Sequence, residues 1–556
     1  MTGILGFAPA LAVIGGCASP EPFATAVDPF VDVDPDPRVF EAVLTARQAT
    51  IDVGGELVSM LSYGGAVPGP EIRVTQGDRV VVHLQNALPS DFPTSIHWHG
   101  VEGTNAADGT ATTQLAVQPG GAFTYDFVVP RAGIFWYHPH VRGAQSTFSG
   151  LYAPLVVDDP DDAALVAAGV LPTTRRTLVL SDVSSFRGEV LSVEVDDPTE
   201  IMNGTEGDAL LVDGQVDPVI DVPAGEGIRL QLVNASITRF WRLSVPGHLL
   251  VRVGGQNGLL ERAQVEGGVV AGVRTDAAGA LPVDVDLGYE EGEILLAPGE
   301  RADVVLVLDE PVGAEVALRW EDYARGRHGM WVEDGEMVMG DAEDDGTRPG
   351  QDVATFRVIA GQGAPYAITG GDPVLAAVGR SVDAVSLDGV TVDFTGPSRI
   401  ELQEEMDMEQ GASGDWVMSS RFFIDGATWM AMDHGPDQPD APNARYARFG
   451  DTIAWEVHNA TPMAHPYHLH GFSFQVLEFV RDDAAESGDD PATTRWAPRS
   501  PEWVDTVNVP AFTSAILRVD ITDPNGDGGA AGRWMAHCHI FQHGEAGMMA
   551  ELNVAP

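Results

Sequence analysis

Residues 77–87 read GDRVVVHLQNA, residues 225–235 read GEGIRLQLVNA and residues 450–460 read GDTIAWEVHNA. In each, a glycine is followed nine residues later by Asn-Ala, at Asn86, Asn234 and Asn459. Such self-similarity means one supersecondary unit used three times. Outward from these stretches, apolar residues fall in short alternating runs between turn residues, as in 71–84 and 301–308, which is the period of strands with one buried face. A second repeat sets a histidine five residues after a glycine through an aromatic-bearing run, Gly133 to His138 and Gly532 to His537, and the middle of the chain lacks it. The expected fold is all-β, with three consecutive Greek-key β-sandwiches.

A chain of 556 residues holds about three or four domains at the usual ~100–200 residues each. Gly 63 and Pro 38 favour turns and short strands over long helices. An acidic run at 158–162 and a Gly, Asp and Glu-rich stretch at 333–351 put the expected domains at 39–160, 161–345 and 346–556. The 31 basic residues are all arginine and stand against 82 acidic ones, for a net charge of −51. Nothing in that balance neutralises phosphates, so nucleic acid is not an expected partner.

Only Cys17 and Cys538 are present, which excludes a disulfide framework. Cys17 follows an apolar run, 4–14, and sits in IGGCAS, as at a bacterial lipoprotein cleavage site, although no Lys or Arg precedes the run. Cleavage there would leave Cys17 as the lipidated N-terminus of an exported chain, periplasmic or at the cell surface and attached to a membrane; the alternative is an ordinary disordered terminus. Residues 19–38 are acidic and proline-rich and read as a tether, so that 1–38 forms a leader and linker. No other run reaches about 18 apolar residues, so a spanning helix is not expected.

Eight of the 15 histidines form four His-x-His pairs: His97/His99, His138/His140, His468/His470 and His537/His539. Chance would give about 0.4 such pairs at this composition. On a strand, residues two apart face the same side, so each pair offers two imidazoles to one metal cluster built between the first and last domains. Imidazoles alone suit copper, zinc or iron. Cys538 decides between them: with His465, His543 and Met548 it completes a His2Cys set with a thioether, the composition of a blue-copper site. Because Cys538 alternates with His537 and His539, its sulfur faces away from the cluster and links the two centres covalently. The remaining histidines, His83, His248, His328, His434 and His458, read as ordinary.

HWHG at 97–100, WYHPH at 136–140, HPYHLHGF at 465–472 and HCHIFQHGEAGMM at 537–549 resemble, in order, the four copper segments of the three-domain multicopper oxidases. That family includes laccases, bilirubin oxidase and bacterial cuprous oxidases, and the resemblance covers about 39–556. It implies cupredoxin-like sandwiches holding four copper ions. A type 1 copper would take His465, Cys538, His543 and axial Met548. A type 2 copper would take His97 and His468. A type 3 pair would take His99, His138 and His539 on one ion and His140, His470 and His537 on the other.

The reaction implied couples one-electron oxidations at type 1 copper to four-electron reduction of O2 to water. His543, near the surface in relatives, is the implied electron entry. Asp108 matches a family aspartate associated with proton supply and the type 2 side, with a turn role before Gly109 as the alternative. Many bacterial relatives carry a relay acid directly after the last type 1 histidine; here Gly544 stands there, which leaves Glu545 as a supporting carboxylate. An axial thioether lowers the copper potential relative to Leu or Phe. Phenols and aromatic amines are the expected donors, with Cu(I), Fe(II) or Mn(II) as the alternative, and the chain is expected to act as a monomer.

Overall fold

The computed structural model describes residues 30–193, 198–276, 279–326, 329–333, 336–340, 348–410, 416–429, 435–483 and 492–556. Cys17 with its leader, His328 and His434 lie outside the described residues. Among the described residues, no helix is long and apolar enough to cross a membrane.

Six large sheets pair into three sandwiches. In the first, a sheet containing Val39–Val53, Glu56–Tyr63, Arg79–Ala87 and Ala122–Val128 covers a smaller one of Ile72–Thr75, Ala153–Asp158, Gly133–His138 and His97–His99. Leu44, Val82, Trp98, Tyr125 and Leu155 fill the space between them. The second sandwich sets Thr174–Val183, Ile228–Asn234 and Arg301–Leu306 against Glu315–Glu321 and Trp241–Ser244 over Trp241, Trp320 and Phe356. In the third, Thr452–Asn459, Phe474–Asp482 and Thr513–Asp520 face His465–Leu469, Gly532–Cys538 and Met549–Ala555 across Trp455, Leu517 and Trp534.

The threefold repeat has a structural cause. Arg79–Ala87, Ile228–Asn234 and Thr452–Asn459 each run parallel to one neighbour and antiparallel to another. Each carries the repeated asparagine at its end, buried. The Oδ1 of Asn86, Asn234 and Asn459 accepts the N–H two residues on, an Asx turn. The amide NH2 of each donates to backbone carbonyls of other loops: Phe92 and Val117, Arg239 and Leu296, Met463 and Val509. Three times, one side chain closes a strand end that would otherwise bury unpaired carbonyls.

Two boundaries differ from the sequence expectation. Residues 30–38 are not a free tether: Val33 N–H donates to Glu41 O, and Phe30 packs on Phe40 at 5.6 Å. The middle sandwich runs past 345, because Gln351–Ile359 pairs with Val219–Pro223 and Glu315–Glu321. The acidic stretch thus precedes the closing strand of its own domain rather than joining two domains. Strands of the middle segment also serve its neighbours. Glu189–Val190 joins the first sandwich beside Ser59, and the hairpin Val269–Asp276/Gly279–Asp286 pairs with Thr493–Trp496 of the third.

Between the middle and third sandwiches, Glu300 accepts N–H bonds from Ala297 and Asn508. Burial pushes its carboxyl up to about 7, against those two bonds. A raised carboxyl contributes stability below its unfolded value of 4.5 that is lost as pH rises through about 7. Thermal melts of wild type and Glu300→Gln should therefore diverge in favour of wild type as pH falls from about 7 toward 4.5; a pH-independent difference defeats this assignment. Asn234→Ala should cost about 2–4 kcal/mol in denaturant unfolding, because it strands two buried carbonyls and an N–H.

Candidate metal centre

Two short antiparallel strand pairs position the histidines. His97–His99 lies against Gly133–His138 with His97 opposite His138, and His465–Leu469 lies against Gly532–Cys538 with His468 opposite His537. The two pairs meet face to face, so that His97 stacks on His470 and His99 on His468, each at 3.9 Å between ring centroids. All eight paired imidazoles therefore gather in one cavity between the first and third sandwiches. His140, His470 and His537 form a compact trio at 5.1–5.3 Å. His99, His138 and His539 form a looser one at 4.7–5.9 Å, and His97 and His468 face each other at 5.8 Å.

The hydrogen bonds show which nitrogen of each ring is spoken for. The Nδ1–H of His97, His138, His468 and His537 donates to the carbonyls of Asp108, Pro139, Asp505 and Cys538 at 2.9–3.0 Å. The Nε2 atoms of His97, His99, His138, His468 and His539 are buried with no hydrogen-bond partner. Native proteins pair nearly all buried polar atoms, so a set of convergent lone pairs fits metal ions bound at those atoms. Burial also lowers the pKa of His99, His138, His468, His470, His537 and His539 and takes His140 to about 3, which keeps these imidazoles neutral and able to ligate.

The second centre lies on the other face of the same strand. Cys538 Sγ is 3.4 Å from His465 Nδ1 and 3.7 Å from His543 Nδ1, and the two nitrogens are 3.2 Å apart. A circle through the three atoms has a radius of about 2 Å, the length of a bond between a first-row metal and imidazole. His465 is held by Nε2 on Thr461 Oγ1 at 2.8 Å, which turns Nδ1 toward the sulfur. Met548 is fully buried in the core that contains Cys538, and its carbonyl accepts the Cys538 N–H. Burial pushes the Cys538 thiol up, so the proton stays until a metal displaces it.

His543 is not at the surface. It is fully buried, stacks on Phe422 at 4.2 Å and donates its Nε2–H to the Met202 carbonyl at 2.8 Å. The cause is the helix Pro198–Asn203, which the middle segment lays over the imidazole edge. Neither Met202 nor Phe422 belongs to any motif, and no sequence signal marks them.

Asp108 is more than a turn residue. It closes a 3-10 turn, but its buried carboxylate also accepts from His470 Nδ1 at 3.0 Å and lies 3.2 Å from His97 Nδ1. Burial alone would raise its pKa; His470 and His97 hold it well below the usual carboxylate range. An ionised carboxylate fixed in this way orients imidazoles. Glu545 accepts the Ala144 N–H at 3.1 Å and lines a cavity of about 20 Å³ with His140 and His537. The sequence offers no hint of Asp505, whose Oδ1 lies 3.4 Å from His468 Nδ1 and 3.5 Å from His99 Nδ1. Nor does it mark Arg301, which grips that carboxylate from the middle sandwich. Of the unpaired histidines, His83 bonds Glu41 and Thr124, His248 meets Glu310 and His458 bonds Ser514, all away from the cluster.

Comparison with known proteins points to one family. Two family models described as multicopper oxidase match residues 45–162 and 401–556. The chain is 28% identical to multicopper oxidase MmcO of Mycobacterium tuberculosis, over 93% of this chain and 87% of that protein. It is 26% identical to laccase-1 of Cryptococcus neoformans, over 96% and 84% of the two chains. Among solved structures, a variant of the McoA multicopper oxidase of Aquifex aeolicus superposes with a TM-score of 0.68 at 24% identity, covering 96% of this chain and all of that one. A multicopper oxidase of Campylobacter jejuni, described as a metallo-oxidase, superposes at 0.67 and 21% identity, over 96% and 97% of the two chains. With copper-type donors at two buried centres and this kinship on both ligand-bearing sandwiches, the chain belongs to the multicopper oxidase family, oxidoreductases that use O2.

Proposed function

We propose that the protein is a laccase-like oxidase that takes single electrons from phenols or aromatic amines and reduces O2 to water. The reading is carried by one strand, 532–538, whose end offers a thiol to one centre while the flanking imidazoles enter another. In this reading His465, Cys538, His543 and Met548 hold type 1 copper, and His97 and His468 hold type 2. His99, His138 and His539, with His140, His470 and His537, hold the type 3 pair. When bound, the four coppers would supply one-electron acceptance from the donor and four-electron delivery to O2.

The side chains around them supply orientation and exclusion of water. Asp108 holds His470 and His97 in the form that keeps a lone pair free, and Glu545 braces the loop beside His140. The path from the sulfur to the cluster is covalent, running through the backbone that joins Cys538 to His537 and His539. The same reading keeps the protein outside the cytoplasm, on the family likeness together with the sequence around Cys17.

A second reading, oxidation of Cu(I), Fe(II) or Mn(II), draws on a specific observation. The Met202 carbonyl takes the Nε2–H of His543 and the Phe422 ring stacks on its face, and the imidazole is fully buried, so an aromatic donor does not reach it in this structure. A small ion needs no such contact, and a net charge of −51 attracts cations.

Cys538→Ser should abolish the blue absorption, leave one copper fewer per chain and drop O2 uptake to background; an equally coloured and active variant overturns the whole assignment. Turnover on a dimethoxyphenol set beside turnover on Cu(I) and Mn(II) separates the two donor classes. Oxidation of a metal ion alone means that the phenol reading is wrong.

A further inference from the structure

With His543 covered, the other imidazole of the type 1 set is the one that connects to an open cavity. A cavity of about 250 Å³ lies between the middle and third sandwiches. Tyr289, Tyr323, Phe479 and Trp496 give it aromatic walls, the last two stacked at 5.4 Å. Tyr289, Phe479 and Trp496 each keep part of their surface exposed, so the cavity opens to solvent. Pockets for drug-sized molecules measure about 300–1,000 Å³, so this one suits a single ring, and its walls offer that ring stacking partners.

The polar groups of the cavity leave one carboxyl for a ligand. Arg301 is fully buried and taken up by Asp505, and Arg252 is held by Glu266 and Glu502 together. Arg499, which is exposed, donates to Gly267 O at 2.5 Å. Glu300 instead accepts main-chain N–H groups, from Ala297 at 2.8 Å and Asn508 at 3.1 Å. Each carboxylate oxygen has a second lone pair, so Glu300 can still accept from the O–H or N–H of a ring donor. Burial, which pushes this carboxyl up to about 7, also makes it a proton acceptor near neutral pH.

One wall of the cavity leads to the type 1 set. Val507, Asn508 and Pro510 line it, and their strand, Thr506–Val509, runs antiparallel to His465–Leu469 with Val509 opposite His465. Asn459 Nδ2–H donates to Pro510 O at 3.0 Å. The Thr461 hydroxyl faces Asn459 Oδ1 at 2.9 Å and Met463 O at 3.0 Å, and its oxygen meets His465 Nε2 at 2.8 Å. With His465 ligating through Nδ1, its Nε2–H donates to that oxygen, and three hydrogen bonds run from the cavity wall to the imidazole. The threefold asparagine repeat acquires this branch in the third sandwich alone. The residue two beyond Asn86 is Leu88, and the one two beyond Asn234 is Ser236, whose hydroxyl accepts Trp241 Nε1–H at 3.0 Å.

Resting on the copper and ring-donor reading above, we propose that this cavity is the donor site: it binds a single-ring phenol or aromatic amine against Glu300, and the electron reaches the type 1 centre through Asn459, Thr461 and His465 rather than across His543. The donor loses one electron to the type 1 copper and the proton of its O–H or N–H group to the Glu300 carboxylate, and it leaves as a ring radical. Four such turns supply the four electrons that reduce one O2 to two waters.

The test uses full-length wild type, Leu287→Trp, Val270→Trp and Glu300→Gln. The two tryptophans fill the cavity from different elements, so either carries the test if the other does not fold. Calorimetry measures binding of a dimethoxyphenol and a phenylenediamine, and anaerobic bleaching of the blue band measures electron entry from each, with ferrocyanide as a reductant that has no ring. A filled cavity should weaken binding of both ring donors and slow their bleaching at least tenfold, with ferrocyanide unaffected. Glu300→Gln should bind within about threefold of wild type yet bleach at least tenfold more slowly with ring donors, at the lower edge of what a positioned proton acceptor contributes. Filled variants that bleach at wild-type speed overturn the proposal, whether or not binding is lost, and so does a wild type that binds neither donor. Unchanged bleaching in Glu300→Gln overturns the assignment of Glu300. Absence of blue colour in wild type overturns the copper reading instead, and the calorimetry then still decides whether the cavity takes a ring.

Discussion

The alternation of side chains along one β-strand is the constraint on which the rest of the molecule depends. His537 and His539 point one way and Cys538 the other, so a single extended segment belongs to two buried centres. Neither centre can be built without strand geometry there, and the strand in turn requires its register with His465–Leu469, which sets His468 opposite His537 and Tyr467 opposite Cys538. The first sandwich repeats the device at His97 and His138. What remains of both sandwiches serves to bring these two small ladders face to face.

Much of this could be read from the chain because the ligands come in local groups. His-x-His has the period of a strand, and Cys538 with His543 and Met548 lies inside one short segment, so composition and spacing were enough. The repeated asparagine was visible as a pattern, although its role in closing strand ends needed coordinates. The residues that went unseen act alone and across distance. Arg301 and Asp505 are separated by 204 positions and meet only through the packing of two domains. Met202 contributes a main-chain oxygen, which leaves no trace in side-chain identity. The misplaced domain boundary has a related cause: an acidic, glycine-rich stretch looks the same whether it links two domains or precedes the last strand of one.

Electrostatics divides the cluster from its surroundings. The paired histidines are buried and convergent, and four of the eight anchor their far nitrogen on a main-chain carbonyl. Of the charges close to them, Asp505 and Arg301 pair with each other and Asp108 is held by His470 and His97, all of them buried, so the field at the centre is set by groups that cannot move far. Over His543, by contrast, the cover is a short helix whose Met202 carbonyl takes the imidazole proton.

The hairpin that the middle segment lends to the third sandwich has a mechanical consequence. Because Val269–Asp276 is hydrogen-bonded into the neighbouring sheet, these two domains share a seam of backbone ladder and cannot swing apart like jaws.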